Sequence, residues 1–345
     1  MRKEKLLPGI RLARKIARAM LQIGATVYKS LLEEPYKWAC GMYMRIYNDN
    51  RMLLADYQHR MLVAKGFIKT IIEKGVNPNF IIGTMTSGIA PATSVAQLLK
   101  KELLINYESS YFVYPQKLWD QKTLEQIRGS AEIIITNSPL AIPYGIQYAN
   151  ELSMPFAYMR KKKKDHGKEK LLEGIVEDGT RFVFISTYED KFEDVKESIK
   201  ILQEDYGLKF STSFHAGRQH EKVLPGEFAG LEAIVIEDLF STGGSSAWEV
   251  YLARESGIIC NYCFSIFSYG FDCLKRQFSG NGNIGDKGIK LSKPCEIDSL
   301  LSFQTLLEVI GEMQFYPPET ISEMREEIEG FDERYKLFLS EKAKI

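Results

Sequence analysis

Apolar residues recur at three- and four-residue spacing over residues 11–32 and again over 52–74, where Met61, Leu62, Ala64, Phe67, Ile68, Ile71 and Ile72 mark one face of a helix. An irregular aromatic stretch, residues 35–51, separates the two helices. From Asn79 onward the pattern changes to short apolar runs, each followed by a turn of Gly, Ser, Thr or Pro and then by helical periodicity. Four such strand–helix units are expected: residues 80–99, residues 132–152, a strand over 181–186 with a helix over 190–202, and a strand from Ala233 that runs through a turn into a helix over 248–255. That alternation predicts an α/β fold with a mainly parallel sheet. In open sheets of this kind ligands sit at the carboxyl ends of the strands, so function belongs in the turns.

Composition narrows the classes. The chain has 345 residues, 45% of them hydrophobic, and a formal net charge of +0. No global basic field recruits nucleic acid, and the basic run at residues 160–164 is local. No apolar stretch reaches the roughly 18 residues that a membrane span needs. Cys40, Cys260, Cys263, Cys273 and Cys295 are too scattered for a disulfide framework or a zinc site, which fits a reducing, cytoplasmic setting. Cys260 and Cys263 form a C-x-x-C, but in a strand-like run, and read as buried thiols. The N-terminus is basic and amphipathic without an apolar h-region, and reads as a surface helix.

The richest chemistry lies in IEDLFSTGGSS, residues 236–246. A buried strand ends in two carboxylates, Glu237 and Asp238, and shortly afterwards Ser241, Thr242, Gly243, Gly244 and Ser245 open a helix. Glycines let consecutive N–H groups turn inward, and the helix N-terminus adds partial positive charge, so a phosphate is held without a basic side chain. The carboxylates are then placed for ribose hydroxyls or a metal.

This segment resembles, almost letter for letter, the phosphoribosyl diphosphate motif of the type I phosphoribosyltransferases, and its wording is closest to the orotate phosphoribosyltransferases. Further motifs are similar to that family. MRKKKKDHGK, residues 159–168, carries R-K-x-x-K-x-H-G, the pattern of the family's flexible catalytic loop. The resemblance implies that Arg160 and Lys161 bind diphosphate and that Lys164 and His166 act in the transition state, on a loop that crosses a dimer interface. GTMTSGIAPAT, residues 83–93, looks like the family's diphosphate loop, implicating Thr86, Ser87 and Gly88. CGMYMRIYNDNR, residues 40–51, is similar to the orotate-side segment, but Tyr43 stands where the family has lysine, and Arg45 is the candidate replacement cation. IFSYGF, residues 266–271, and LSFQTLLEVI, residues 301–310, also match the family.

The resemblance thus implies transfer of a phosphoribosyl group to orotate, giving orotidine 5′-phosphate and diphosphate. Magnesium would enter with the diphosphate, not through a dedicated side-chain cage, with Glu237 and Asp238 as further ligand candidates. A non-catalytic phosphoribosyl diphosphate or nucleotide sensor, and a transferase for another base, are the alternatives, both prompted by Tyr43. Expected partners are small molecules, with no nucleic acid and no membrane, in a homodimer or an intramolecular pseudo-dimer.

An ordinary family member needs about 210 residues, and the excess lies between the two phosphate-binding turns. At an offset of 53, Ile135, Ala141, Ile142, Ala149 and Leu152 align with Ile82, Gly88, Ile89, Ala96 and Leu99. Residues 181–217 likewise parallel residues 233–270, but with STYEDKF in place of the glycine-rich turn. The expected organisation is therefore residues 1–107 as N-terminal helices, orotate-side segment and first half of the core; 108–228 as an inserted degenerate copy of the core carrying the basic loop; and 229–345 as the second half with the phosphoribosyl motif. In the outer copy, residues 111–122 stand where the basic loop should be.

Overall fold

The computed structural model describes residues 8–108, 110–160, 171–217, 219–223, 226–285 and 287–342. Helix α1 (Pro8–Gln22) is shorter than the periodicity suggests. Gly24 takes a left-handed conformation (φ 67°), and the N–H of Ala25 reaches back to the Met20 carbonyl, closing the helix by the usual glycine stop. The chain then forms short antiparallel strands from the irregular aromatic stretch: β1 (Thr26–Tyr28) pairs with β4 (Ile46–Asn48), and β2 (Tyr36–Lys37) with β3 (Tyr43–Met44). A 3-10 turn (Asn50–Leu54) leads to α2 (Tyr57–Glu73), capped by the Asp56 carboxylate on the N–H of His59.

The expected α/β architecture then appears. The first half of the main sheet is β5 (Phe80–Gly83), α3 (Ile89–Leu99), β6 (Glu102–Tyr107) and β7 (Ser110–Tyr114). After α4 (Gln121–Ile127) a second sheet is built from β8 (Ile133–Thr136), α5 (Ile142–Leu152), β9 (Phe156–Met159), β10 (Leu172–Glu173), β11 (Arg181–Ser186), α6 (Phe192–Glu204) and β12 (Lys209–His215). The chain returns to the main sheet with β13 (Glu221–Val223), β14 (Glu232–Phe240), α7 (Gly244–Glu255), β15 (Ile259–Ser268), α8 (Asp272–Phe278) and β16 (Glu296–Ser302), and ends in α9 (Phe303–Glu312), α10 (Pro318–Glu329) and α11 (Phe331–Lys342).

The main sheet is seven-stranded, in the order β13-β7-β6-β5-β14-β15-β16, and the second is five-stranded, β10-β9-β8-β11-β12. In each, the central strands are parallel and the antiparallel pairing is confined to the edge reached by a hairpin. Residues 111–114, expected in a loop, are strand β7, buried at Tyr111, Phe112 and Tyr114. Apolar side chains of that length suit a strand paired on both sides, by β13 and β6, better than a solvated loop.

Strand β14 is central and covered on both sides, as a nearly continuous apolar strand of a parallel sheet must be. Ile234 and Ile236 pack into the cluster shared with α3, whereas Ala233 and Val235 pack with Ala247, Val250 and Ala253 of α7. The period-two alternation therefore fixes which way the strand's C-terminal residues point, and with them the acidic pair. Cys260 and Cys263 are buried free thiols on β15. Among the described residues, no helix is long and apolar enough to cross a membrane.

Candidate active site

A cavity of about 270 Å³ opens at the carboxyl end of β14. It is lined on one side by Glu237, Asp238, Ser241 and Ser245, with Ser87 from the turn after β5, and on the other by Trp38, Tyr47, Asn48, Arg51 and Tyr269. A larger hollow of about 550 Å³ lies around residues 175–180, but it contains none of these turn residues, so size does not select the site.

The turn before α7 is shaped by the chain's smallest residues. Gly243 is left-handed (φ 83°) and immediately precedes α7, and a β-carbon there would collide with the Leu274 side chain. No side chain caps α7, which leaves the inward N–H groups of its first turn for a ligand. Gln277 backs the turn: its amide donates to the Thr242 carbonyl at 2.6 Å and accepts from the N–H of Gly285 at 3.1 Å. On the facing turn, any side chain at Gly88 would overlap Thr84 and the Ile236 carbonyl, which is why the chain can pass so close to β14 there.

The acidic pair is asymmetric. Both oxygens of Glu237 are engaged, one accepting from the N–H of Asp238 at 2.8 Å and the other from the Ser246 hydroxyl at 2.9 Å. Burial, then the adjacent Asp238 charge, push its pKa well above the usual carboxylate range, so Glu237 favours the neutral form. It acts as a strut between strand and helix. Asp238 is half-buried, lines the cavity, and has its carbonyl held by the Asn50 amide at 2.9 Å.

Opposite the turn, Arg51 is the cation of the pocket. Its guanidinium contacts Asp49 at 2.7 Å and Glu173 at 2.5 Å, with both carboxylates buried. Burial opposes its charge, but Asp49 and Glu173 outweigh burial and hold its pKa above the ordinary guanidinium value. Tyr47 is pushed up to about 12, chiefly by burial. Asn48 is buried, and neither polar atom of its side-chain amide has a hydrogen-bond partner among the described residues. An unpaired buried amide is costly, and this one belongs to a residue of the cavity wall. Trp38 and Tyr269, 4.7 Å apart between ring centroids, supply a flat apolar surface beside it.

The expected site residues divide accordingly. Glu237, Asp238, Ser87, Ser241 and Ser245 line one cavity, and Thr242, Gly243 and Gly244 form its turn, with Gly88 behind it. Tyr43 and Arg45 are not brought there. Tyr43 is 62% exposed on β3, and the Arg45 guanidinium is spent on the carbonyls of Ser30 and Glu33, because the short strands turn alternate residues away from the cavity. Arg51, later in the same motif, takes the place expected for Arg45. Thr86 lies in the turn before α3 but does not line the cavity. Lys161, Lys164 and His166 lie outside the described residues. Arg160 is described, and its guanidinium contacts the Glu173 carboxylate that also holds Arg51. Sequence reasoning missed Trp38, Asn48, Tyr269 and Glu173 as site residues. Asn48 and Tyr269 lie within family-like motifs, whereas nothing local marks Glu173.

No protein-family model matches the chain. Curated relatives do. The chain is 25% identical, over 89% of its length and 90% of theirs, to orotate phosphoribosyltransferases of Streptococcus pneumoniae, and 28% identical, over 77% of each, to that of Streptococcus agalactiae. Among solved structures, it is similar to the orotate phosphoribosyltransferase of Aeropyrum pernix at 13% identity and a TM-score of 0.40, over 86% of this chain and 99% of that one. The α/β fold, the glycine turn with its acidic pair and the curated relatives make this chain a relative of the phosphoribosyltransferases, a class of transferases. Within that class, relatives that it matches along more than four-fifths of its length include orotate phosphoribosyltransferases.

Proposed function

We propose that the crevice at the end of β14 binds phosphoribosyl diphosphate and orotate and joins them into orotidine 5′-phosphate, with release of diphosphate, as a step of pyrimidine nucleotide synthesis. The observation that carries this reading is the polarity of the cavity: uncapped helix N–H groups at one end, a carboxylate pair in the middle, and a cation with an unpaired amide and aromatic faces at the other. A ribose 5-phosphate presents phosphate and then hydroxyls in that order, and a flat, carboxylate-bearing base suits the far end.

In this reading the α7 turn holds the 5′-phosphate and Asp238, oriented by Glu237, accepts hydrogen bonds from the ribose hydroxyls. Arg51, Asn48, Trp38 and Tyr269 hold the base. The ring nitrogen of orotate forms a bond to the anomeric carbon as the bond from that carbon to the diphosphate oxygen breaks, and the N–H proton is released. Positive charge grows on the sugar in the transition state, and the fixed Asp238 carboxylate stabilises it without reorganising. The departing diphosphate accepts hydrogen bonds from the turn of residues 83–88 and is neutralised by Arg160, Lys161, Lys164 and His166, in the roles the family motif implies. Magnesium would enter with the diphosphate and supply Lewis-acid chemistry to the leaving group.

Incubation with magnesium, phosphoribosyl diphosphate and orotate, followed by orotate absorbance, tests the reading. Orotate is consumed with equimolar release of diphosphate. If phosphoribosyl diphosphate binds but only another base is consumed, the base assignment is wrong; if it binds and nothing turns over, the protein is a sensor.

A further inference from the structure

The second sheet repeats the first. In order, β10-β9-β8-β11-β12 matches β7-β6-β5-β14-β15, with the same chain connections and the same antiparallel hairpin at one edge. Strand β8 and helix α5 begin 53 residues after β5 and α3, and both helices stop on a left-handed non-glycine residue, Lys100 and Ser153. Phe80 pairs with Ala233 in one sheet and Ile133 with Phe182 in the other, and at the next residue the pairing of the same central strand with its other neighbour shifts register, β14 with β15 between Ala233 and Ile234 and β11 with β12 between Phe182 and Val183. Shared order can arise by pattern alone. A shared irregularity at the same position is much harder to obtain independently.

The copies also meet as matched partners. Equivalent helices α3 and α5 pack together, with the Asn150 amide donating to the Ser94 hydroxyl at 3.2 Å and to Gln97 at 2.9 Å. Each hairpin stands at the other copy's crevice. The β9–β10 hairpin brings Glu173 to Arg51 at the catalytic cavity, while Tyr107 and Ser110 of the β6–β7 hairpin line a second cavity of about 270 Å³ with Ser138, Glu189 and Asp190. Such reciprocal contact is the signature of an isologous pair.

We propose that the chain is a dimer of two phosphoribosyltransferase-type cores folded as one polypeptide, with one working crevice completed in cis by Glu173 and Arg160 and a second crevice closed by its own side chains. By that register, Glu237 and Asp238 correspond to Ser186 and Thr187, and Gly243 and Gly244 to Phe192 and Glu193. Asp190 turns inward to accept from the N–H and hydroxyl of Thr187 and from Ser138. Glu193 and Asp194 occupy the first turn of α6, where a phosphate would have to bind. The hairpins differ in keeping with this. Two residues of chain join β6 to β7, whereas twelve join β9 to β10.

The inference rests on the proposed function for its ligand, and two measurements separate their failures. Calorimetric titration of the full chain with phosphoribosyl diphosphate and magnesium is expected to give one site per chain, unchanged in Asp190→Asn. Two sites overturn the inference alone; none overturns it together with the proposed function. Next, an Asp238→Asn chain is mixed with a Glu173→Ala/Arg160→Ala chain, each of low activity on its own. Sites completed between chains would recover about a quarter of wild-type activity in the mixture, because half the pairs are mixed and each has one intact site. No recovery is expected, and recovery to that level overturns completion in cis. If the double variant fails to fold, Glu173→Gln, which keeps the side-chain volume, replaces it.

Discussion

Glu249 lies on helix α7, buried, with its Oε1 unpaired among the described residues. Burial alone pushes its pKa up from the ordinary 4.5 to about 8. The sign follows from which state holds the proton. Below pH 4.5 both folded and unfolded chains are protonated there; above it the unfolded chain ionises first, so the folded state loses stability relative to the unfolded one until the folded group ionises near pH 8. At about 1.4 kcal/mol per pH unit, the loss reaches roughly 3 kcal/mol by pH 7 and levels off above pH 8. Glu249→Gln cannot ionise and avoids this loss. Urea denaturation of both proteins at pH 5, 6, 7 and 8 checks the argument. The variant should exceed the wild type by less than about 1 kcal/mol at pH 5 and by about 3 kcal/mol at pH 7. A stability difference that stays constant across that range would refute a proton-linked cost at Glu249.

Three further outcomes are expected. Gly243→Ala forces a left-handed alanine against Leu274, so it should cost about 1–2 kcal/mol of backbone strain alone, seen in thermal unfolding, and weaken phosphoribosyl diphosphate binding in calorimetry. Arg51→Ala leaves Asp49 as a buried carboxylate without its cation, with Glu173 keeping only Arg160, and should destabilise by about 3–5 kcal/mol in chemical denaturation, more than removing a more exposed cation such as Lys69. Asn48→Ala removes an amide that bonds to nothing among the described residues, so stability should hold while the KM for the base rises about tenfold in steady-state kinetics, the size of one lost hydrogen bond.

What could be read from the sequence was whatever local chemistry determines. The strand–turn–helix units declared themselves because apolar periodicity changes where the backbone changes, and the β14 turn because Gly243 and Gly244 permit a conformation that few other residues adopt. Even the helix after Ala233 began earlier than its periodicity suggested, at Gly244, since its first turn, Gly244 to Ala247, carries no large apolar residue to mark it. The base-side wall was legible only in part. Motif matching found Asn50 and Arg51 but read Arg45 as the pocket cation, because the direction of a side chain on a two- or three-residue strand depends on what the strand pairs with. Glu173 was illegible for a deeper reason. Its role is a contact 122 residues from Arg51, across two sheets, and no local pattern encodes it.

That long-range contact explains how two similar halves can carry different parts of one site. In an isologous pair of identical subunits every substitution appears at both crevices, so a turn cannot be lost at one without being lost at the other. Joining the copies in one chain removes the constraint. The sheet of residues 133–215 can then exchange an acidic pair for Ser186 and Thr187 and a glycine turn for Phe192 and Glu193, gaining a self-satisfied crevice around Asp190. The main sheet can in turn shorten the β6–β7 turn that faces it. What neither half can give up is the joint between them: Arg51 and Glu173 are buried beside Arg160 at one corner of the cavity, and an uncompensated charge there would cost several kcal/mol. The asymmetry of the two turns and the retention of this joint are therefore two sides of the same arrangement.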